Sequence, residues 1–337
     1  MKRKILIFGS ILIAVLIVAA FAYYRIFHTV AIQSAPPDCN CSVKNVQAVE
    51  TVLMNCNIEL SSATAWTLAA RLKKLKAIKP GRYCLKQGMN ANEMIREFRS
   101  GGRPTLTLRI DDVTSLNELA SKLGAHLLND SVYFMREFSN DSLLNSLGIN
   151  PSYVSCFIRP NTYDFYWNMT AETFLQRMKK EYDRVWTSTR IEQAQQLSMS
   201  PFEVVILASI VKAETSEKEE APRIAGLYIN RLRKGIPLQS DPTTIFGKRT
   251  GAKRVYASDL ESDSPYNTYK IQGLPPGPIN FPEDIYIDAV LQAERNTYIY
   301  MCAEPGGTGR HRFTASYTEH ENNRRAYINW LNKAGIR

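Results

Sequence analysis

The stretch that most constrains this chain is residues 200–214, SPFEVVILASIVKAE, because between positions 204 and 213 its only polar members are Ser209 and Lys212. A helix that is apolar around most of its circumference belongs inside a packed layer and not on a surface. Ser200 with Glu203 three positions on is a capping box, and Pro201 stands where a helix tolerates proline, so the start is sharply set. Glu214 closes the run. At about 100° per residue it lies within roughly 60° of Leu207, Ile210 and Val211, while Lys212 is roughly opposite and out of reach as an ion-pair partner. The pattern predicts a carboxyl delivered into apolar surroundings, where desolvation of the charged form raises the pKa toward the range a general acid needs. The competing reading is structural: Glu214 caps amides of the next turn, or pairs with Arg223 or Arg231.

A chain of 337 residues with 45% hydrophobic and 10% aromatic residues suffices for about two packed domains. The formal charge of +10 suits an acidic partner: nucleic acid, anionic lipid headgroups or a carboxylate-bearing polymer. The N-terminus narrows this. Lys2, Arg3 and Lys4 precede an uncharged run over residues 5–24, long enough to cross a bilayer, and these charges place residues 1–4 in the cytoplasm. Ala20-Phe21-Ala22 fits a signal-peptidase site, but the run is long for a cleaved signal. In either case the remainder is exported, which disfavours nucleic acid, as does the lack of a Lys/Arg stripe interleaved with aromatics. Residues 25–42, with Pro36 and Pro37, read as a linker. Six cysteines (Cys39, Cys41, Cys56, Cys84, Cys156 and Cys302) then sit where disulfides form. Cys39 and Cys41 are too close to pair with each other, Cys56 is an available partner, and the connectivity is not readable. Four scattered histidines give no ligand spacing, so neither metal nor cofactor is expected.

Residues 43–57 have the alternating, β-branched character of a strand, and residues 61–76 read as a helix with Trp66 and Leu68 inward. A turn at 79–82 leads into a strand at 83–85. Residues 90–98 form a helix with Met94, Ile95 and Phe98 on one face, stopped by Gly101-Gly102. A strand at 106–110 and a capping box at Ser115 and Glu118 roughly repeat this unit. Residues 130–147 read as helical with Phe134 and Phe138 inward, and 171–197 as one long amphipathic helix. Pro222 opens another helix, which ends at Gly235. Asp241 precedes Pro242, which predicts a turn conformation with its carboxylate bonding neighbouring amides. Proline and glycine between 264 and 279 make a rigid loop. A helix at 282–293, a strand at 298–301 and a turn at 306–309 complete the reading.

LASIVKAET, then GLYINRL, LQSDPT, SPYNTY and GLPPGPI in this order, resemble the endolytic murein transglycosylase family (the YceG-like, or MltG, proteins). KPGRY and MNANEMIREFRSGG ahead of them, and His311-x-Phe313 and Glu319-His320 behind, extend the resemblance from about Pro36 to the C-terminus. It implies an α+β chain with a transmembrane helix, a small LysM-like α+β domain over residues 43–150 that holds glycan strands, and a larger α+β catalytic domain over 151–337. It implies Glu214 as the catalytic group and Gln239, Asp241, Tyr266, Asn267, Tyr163 and His311 as substrate-binding residues. The implied activity is non-hydrolytic cleavage of the MurNAc-GlcNAc bond within nascent peptidoglycan, at the outer face of the inner membrane, with peptidoglycan synthases as partners. Ordinary glycosidases use two carboxyls; one suffices if the C6 hydroxyl of the sugar itself attacks C1, leaving a 1,6-anhydro end.

Three motifs depart from the family pattern. Asn161 replaces the commoner aspartate in P-D-T-Y, Ser240 replaces threonine in LQTDPT, and Lys212-Ala213 replaces E-K ahead of Glu214. Were the first glutamate of E-K-E-T the acid, this protein would be inactive; the helix face favours the second. Two other classes stand beside the enzyme: a non-catalytic peptidoglycan- or synthase-binding protein, and a hydrolytic muramidase in which Asp241 or Glu217 activates water. Glu217, Glu219, Glu220 and Asp241 are otherwise expected to be solvated or turn-bound. The run at 5–24 predicts that the full chain stays with the membrane pellet on alkaline carbonate extraction, whereas a chain begun at residue 25 is released into the supernatant.

Overall fold

The computed structural model describes residues 2–35, 41–43, 45–101, 105–248 and 259–335. Pro36, Pro37 and Cys39 lie outside them. The chain divides into two units: Met1–Thr107 with His126–Leu128 and Asp164–Met169, and Leu108–Ala125 with Asn129–Tyr163 and Thr170–Arg337.

The first unit opens with α1 (Lys2–Phe27), about 39 Å of helix. Residues 10–24 are all exposed, with Ile11, Leu12, Val15, Leu16 and Phe21 among the large apolar side chains, and Phe8–Phe27 is long and apolar enough to cross a membrane. Burial begins abruptly at Phe27, which sits in the core of the unit. After it come β1 (Ile32–Ser34), β2 (Cys41–Val43), α2 (Val49–Asn55), β3 (Glu59–Leu60), α3 (Ala63–Leu72), β4 (Gly81–Tyr83) and α4 (Ala91–Ser100). β1 pairs with β3 and β2 with β4, both antiparallel.

The strand expected through residue 57 ends at Val43. Val49, Val52 and Leu53 recur at three and four residues, and that helical period is the one the core uses. Leu68, expected inward, is 46% exposed, because the buried stripe of α3 runs through Trp66, Ala69 and Ala70. α4 forms as its caps dictate: Asn90 and Glu93 close a reciprocal capping box, and Gly101 takes the left-handed φ of 84° that ends the helix. Cys41 and Cys56 form a disulfide, Cys84 is also disulfide-bonded, and Cys156 and Cys302 are free thiols.

β5 (Thr105–Arg109) pairs with β6 (Thr162–Tyr166). After β5 come α5 (Leu116–His126), α6 (Ser131–Phe138), α7 (Asp141–Ser146) and a 3₁₀ turn (Pro151–Phe157), and after β6 come α8 (Ala171–Val185), α9 (Ser188–Gln196), α10 (Pro201–Glu214), α11 (Ala221–Arg233), α12 (Asp241–Lys248), α13 (Asp284–Leu291), β7 (Tyr300–Ala303), β8 (His311–Thr314) and α14 (Tyr317–Lys333). Two helices expected to be continuous are broken. Asn140 caps the amide of Leu143 and so starts α7, and Thr187 does the same for Arg190 at the start of α9. Short polar side chains in mid-pattern restart a helix because they can satisfy its free amides. Asp241, expected in a turn, is instead the first residue of α12; Pro242 falls in the first helical turn, where a missing N–H costs nothing.

α10 is the centre of this unit. Every residue from position 204 to 211 is buried, against α9, α11, α12, α13 and the 3₁₀ turn. Its Ser200–Glu203 capping box forms as expected. Ser209 bonds the carbonyl of Ile206 and accepts from the amide of Ile279 at 3.0 Å, while its own carbonyl accepts from Asn280 at 2.7 Å. Lys212 donates to the carbonyl of Phe281 and to Glu283, on the side away from Glu214. The proline-rich loop is thereby stitched to one face of α10, which leaves its last turn for the other face.

α11 packs closely on the chain at 294–296: a Cβ on Gly226 would lie 2.3 Å from the carbonyl oxygen of Glu294. Gly226→Ala is therefore expected to destabilise the protein by about 2–3 kcal/mol, against about 1 kcal/mol for Ser200→Ala, which removes a helix cap. Urea denaturation checks both, and an unchanged midpoint for Gly226→Ala would contradict this packing.

Candidate active site

Glu214 is the last residue of α10 and is only partly exposed. Its Oε1 accepts two hydrogen bonds, from the Tyr228 hydroxyl at 2.6 Å and from the Ser240 hydroxyl at 2.5 Å. Oε2 takes none among the described residues. Neither Arg223 nor Arg231 pairs with it: Arg223 bonds Glu294, and Arg231 donates to the carbonyls of Pro237 and Ile299 and to Gln239 Oε1. Burial pushes the Glu214 pKa up, opposed by the Ser240 and Tyr228 hydrogen bonds and by His311, and assisted by the nearby Asp241. The carbonyl end of the helix works in the same direction as burial. Tyr228 is itself pushed well above the ordinary phenol range, first by burial and then by Glu214, so it stays a donor.

Glu214 lines a cleft of about 450 Å³ together with Tyr228, Arg231, Gln239, Asp241, Tyr269 and His311. Gln239 has a left-handed φ of 54°, a conformation that costs a non-glycine residue on the order of 1 kcal/mol. Its surroundings hold it there. Gln239 N donates to the Thr268 carbonyl, Ser240 N to the Thr268 hydroxyl, and the Thr243 hydroxyl lies 2.8 Å from the same oxygen. Thr268 thus fixes the segment that carries Ser240 to Glu214. Asp241 accepts from the Tyr269 hydroxyl at 2.6 Å and is exposed at the rim.

His311 is held by Glu220, whose Oε1 accepts the His311 amide at 2.9 Å and whose Oε2 lies 2.8 Å from Nδ1. Glu220 is buried, not solvated as its polar setting in the sequence suggested. Its carboxylate makes Nδ1 the protonated nitrogen and leaves Nε2 to the cleft.

Of the seven residues singled out from sequence, Glu214, Gln239, Asp241 and His311 come together, and Tyr163, Tyr266 and Asn267 do not line the cleft. Tyr163 is buried and donates to the carbonyl of Arg159. Asn267 is fully buried; its amide donates to the carbonyls of Leu260 and Ser262 and its oxygen accepts from the amide of Tyr269, so it shapes the turn that presents Tyr269. Tyr266 packs on Phe246, with ring centroids 4.8 Å apart. Tyr228, Ser240, Glu220 and Arg231 belong to the site without having been assigned to it from the sequence. The signal for Ser240 is its place directly before Asp241-Pro242. The approach of Tyr228 to Glu214 depends on how α11 packs on α10, which no local pattern encodes.

A family model for YceG-like proteins matches residues 43–326. The chain belongs to the YceG-like family. Among its relatives, the endolytic murein transglycosylase of Bacillus subtilis (strain 168) is 26% identical over 308 residues, which is 87% of this chain and 84% of that protein. The endolytic murein transglycosylase of Streptococcus pneumoniae serotype 2 (strain D39 / NCTC 7466) is 24% identical over 316 residues, or 85% of this chain and 57% of that protein's length. A YceG-like protein of Listeria monocytogenes, solved by crystallography, shares the fold at a TM-score of 0.58 and 23% identity, over 88% of this chain and 99% of that one.

A carboxyl whose folded pKa is raised above its unfolded value of about 4.5 binds its proton more tightly in the native state. Its contribution to stability is fully present below about pH 4.5 and is lost as pH rises through the raised folded value. Glu214→Gln keeps an oxygen for Tyr228 and Ser240 but cannot ionise. The variant is expected to be more stable than the parent at neutral pH, with the gap closing as pH falls toward 4.5 in a pH series of urea denaturations.

Proposed function

We propose that this family member is a membrane-anchored lytic transglycosylase that cuts within peptidoglycan glycan strands, with Glu214 as its proton-transfer group. The observation that carries the reading is the one-sided hydrogen bonding of Glu214, a residue that lines the cleft: both hydroxyl donors engage Oε1, which leaves Oε2 to hold the proton. The names of the Bacillus and Streptococcus relatives support the same activity.

In this mechanism Oε2–H protonates the oxygen bridging MurNAc C1 to the next GlcNAc, and the C1–O bond breaks. The carboxylate left behind is steadied by Tyr228 and Ser240, whose bonds strengthen when the acceptor becomes charged. The C6 hydroxyl of the same MurNAc then bonds to C1 and returns its proton to Glu214. No water is consumed, the enzyme ends as it began, and the products are a 1,6-anhydroMurNAc end and a free GlcNAc 4-hydroxyl. A single positioned acid–base group contributes about 10²–10⁴-fold to such a step. Asp241 is engaged by Tyr269 and Glu220 by His311, so neither competes with Glu214 as the acid. Gln239 and His311 are the polar groups available to orient sugar hydroxyls. Arg231, a buried guanidinium bonded only to neutral oxygens among the described residues, leaves positive charge beside a cleft meant for a carboxylate-bearing polymer.

In the same reading α1 is the anchor, with Lys2, Arg3 and Lys4 on the cytoplasmic side and both units on the outer face. The first unit holds the emerging strand as a LysM-like region would, and peptidoglycan synthases are the protein partners such a position favours.

Mass spectrometry of digested glycan strands tests this. The expected ends are lighter by one water than those of a hydrolase, and Glu214→Gln lowers turnover by at least about a hundredfold. Hydrated ends would instead identify a muramidase, and strand binding without cleavage a non-catalytic protein. Tyr228→Phe and Ser240→Ala each remove a bond that lowers the Glu214 pKa, so the alkaline limb of the rate profile is expected to move to higher pH in both variants.

A further inference from the structure

The first unit has a concavity of its own, about 360 Å³, lined by His28, Lys73, Asn90, Asn92, Arg96 and Arg99, with Glu93 and Ile95. Its cations are not neutralised. Among the described residues Lys73, Arg96 and Arg99 make no ion pair, and the Glu93 carboxylate is occupied by the capping box at the start of α4. Asn92, Arg96 and Arg99 follow one another at four and three residues, so they share one face of α4. Lys73 ends α3; its carbonyl accepts from Arg99, and its ammonium lies 5.2 Å from the ring centroid of Phe27, the last residue of α1. His28 continues the α1 hydrogen-bonding ladder through the carbonyl of Tyr24 and lies within 3.5 Å of the Asn92 amide.

The position of this cluster along α1 decides what it meets. Twenty residues of apolar run end at Tyr24, and about 30 Å of hydrocarbon uses all of them at 1.5 Å per residue. His28 is four residues further, about 6 Å along the axis. The headgroup layer on each side of a bilayer is about 5–7 Å thick. His28 therefore falls at the depth at which lipid phosphates lie, and the concavity it lines is shared with the three basic side chains and the two asparagine amides. Tyr23 and Tyr24, both exposed, supply the interfacial aromatics on the same stretch of helix.

The geometry points to a binding site for the phosphodiester of an anionic phospholipid headgroup, formed by Lys73, Arg96 and Arg99 with Asn92, in the leaflet from which α1 emerges. It rests on α1 being a membrane span and is independent of the chemistry at Glu214. Each cation near an anionic surface contributes about fivefold to binding, so three converging cations distinguish anionic from zwitterionic headgroups by well over tenfold. Occupation of the site would hold α3 and α4 against the membrane and so fix the height of the first unit above it.

Native mass spectrometry of the full chain in a neutral detergent, titrated with dioctanoyl phosphatidylglycerol, dioctanoyl phosphatidylcholine or glycerol 3-phosphate, tests the proposal. The expected result is saturable phosphatidylglycerol binding at least tenfold tighter than either alternative. Arg96→Glu and Lys73→Gln, each separately, weaken it at least fivefold, while Lys180→Glu on α8 leaves it unchanged. Equal binding of the two lipids, or a full preference retained in Arg96→Glu, overturns the proposal. Glycerol 3-phosphate binding as tightly as the lipid makes this a soluble-anion site and also overturns it, as does loss of glycan-strand binding in Arg96→Glu with lipid binding intact. Alkaline extraction reads the anchoring of α1 separately, so failure of the span and failure of the headgroup site are distinguishable.

Discussion

Two hydroxyls donating to one oxygen of a buried-side carboxyl is the interaction around which the second unit is arranged. A carboxyl at the carbonyl end of an apolar helix has every physical reason to stay protonated, and without donors it would hold its proton too firmly to give it up. Tyr228 and Ser240 moderate that tendency from one side only. To bring them there the fold needs α10 buried on almost its whole circumference, α11 packed across it, and the segment after α11 turned back onto Glu214. Few alternatives satisfy all three at once, which is why the helix, its cap and the stitching at Ser209 and Lys212 are so fully bonded.

The segment at Gln239 and Ser240 shows where stability yields to positioning. A non-glycine residue in a left-handed conformation is disfavoured, yet here it is clasped between Thr268 and Arg231. Asn267, buried and spent on backbone carbonyls, keeps the neighbouring turn in shape so that Tyr269 meets Asp241. The polar, proline-rich stretch that looks like a substrate-contacting loop is largely scaffolding, one layer behind the residues that face the cleft.

The first unit obeys a different constraint. Its core begins at the last residue of α1, so the apolar helix and the folded unit share Phe27 with no slack between them. α1 is exposed over residues 10–24, long and apolar enough there to cross a membrane, and is buried at Phe27, its last residue. The basic face of α4 lies beside that transition, and its placement follows from the helical period of Asn92, Arg96 and Arg99 once the cap at Asn90 has fixed where α4 starts.

The sequence by itself determined the apolar run of α1, the cap at Ser200, the burial of α10 and the delivery of Glu214 to its end, because helix caps and hydrophobic periods are local and act within a few residues. It also determined that Lys212 faces away from Glu214, a matter of helix angle alone. Length misled where a polar residue could restart a helix, at Asn140 and Thr187, and where proline hid the first turn of α12. Only the tertiary structure decided that Glu220 is buried against His311, 91 positions away, that Tyr228 and Ser240 share one oxygen of Glu214, and that Tyr163, Tyr266 and Asn267 support the fold instead of lining the cleft. Those outcomes depend on how distant elements pack, and a hydrogen bond between residues from different elements leaves no period or spacing in the chain from which it could be read.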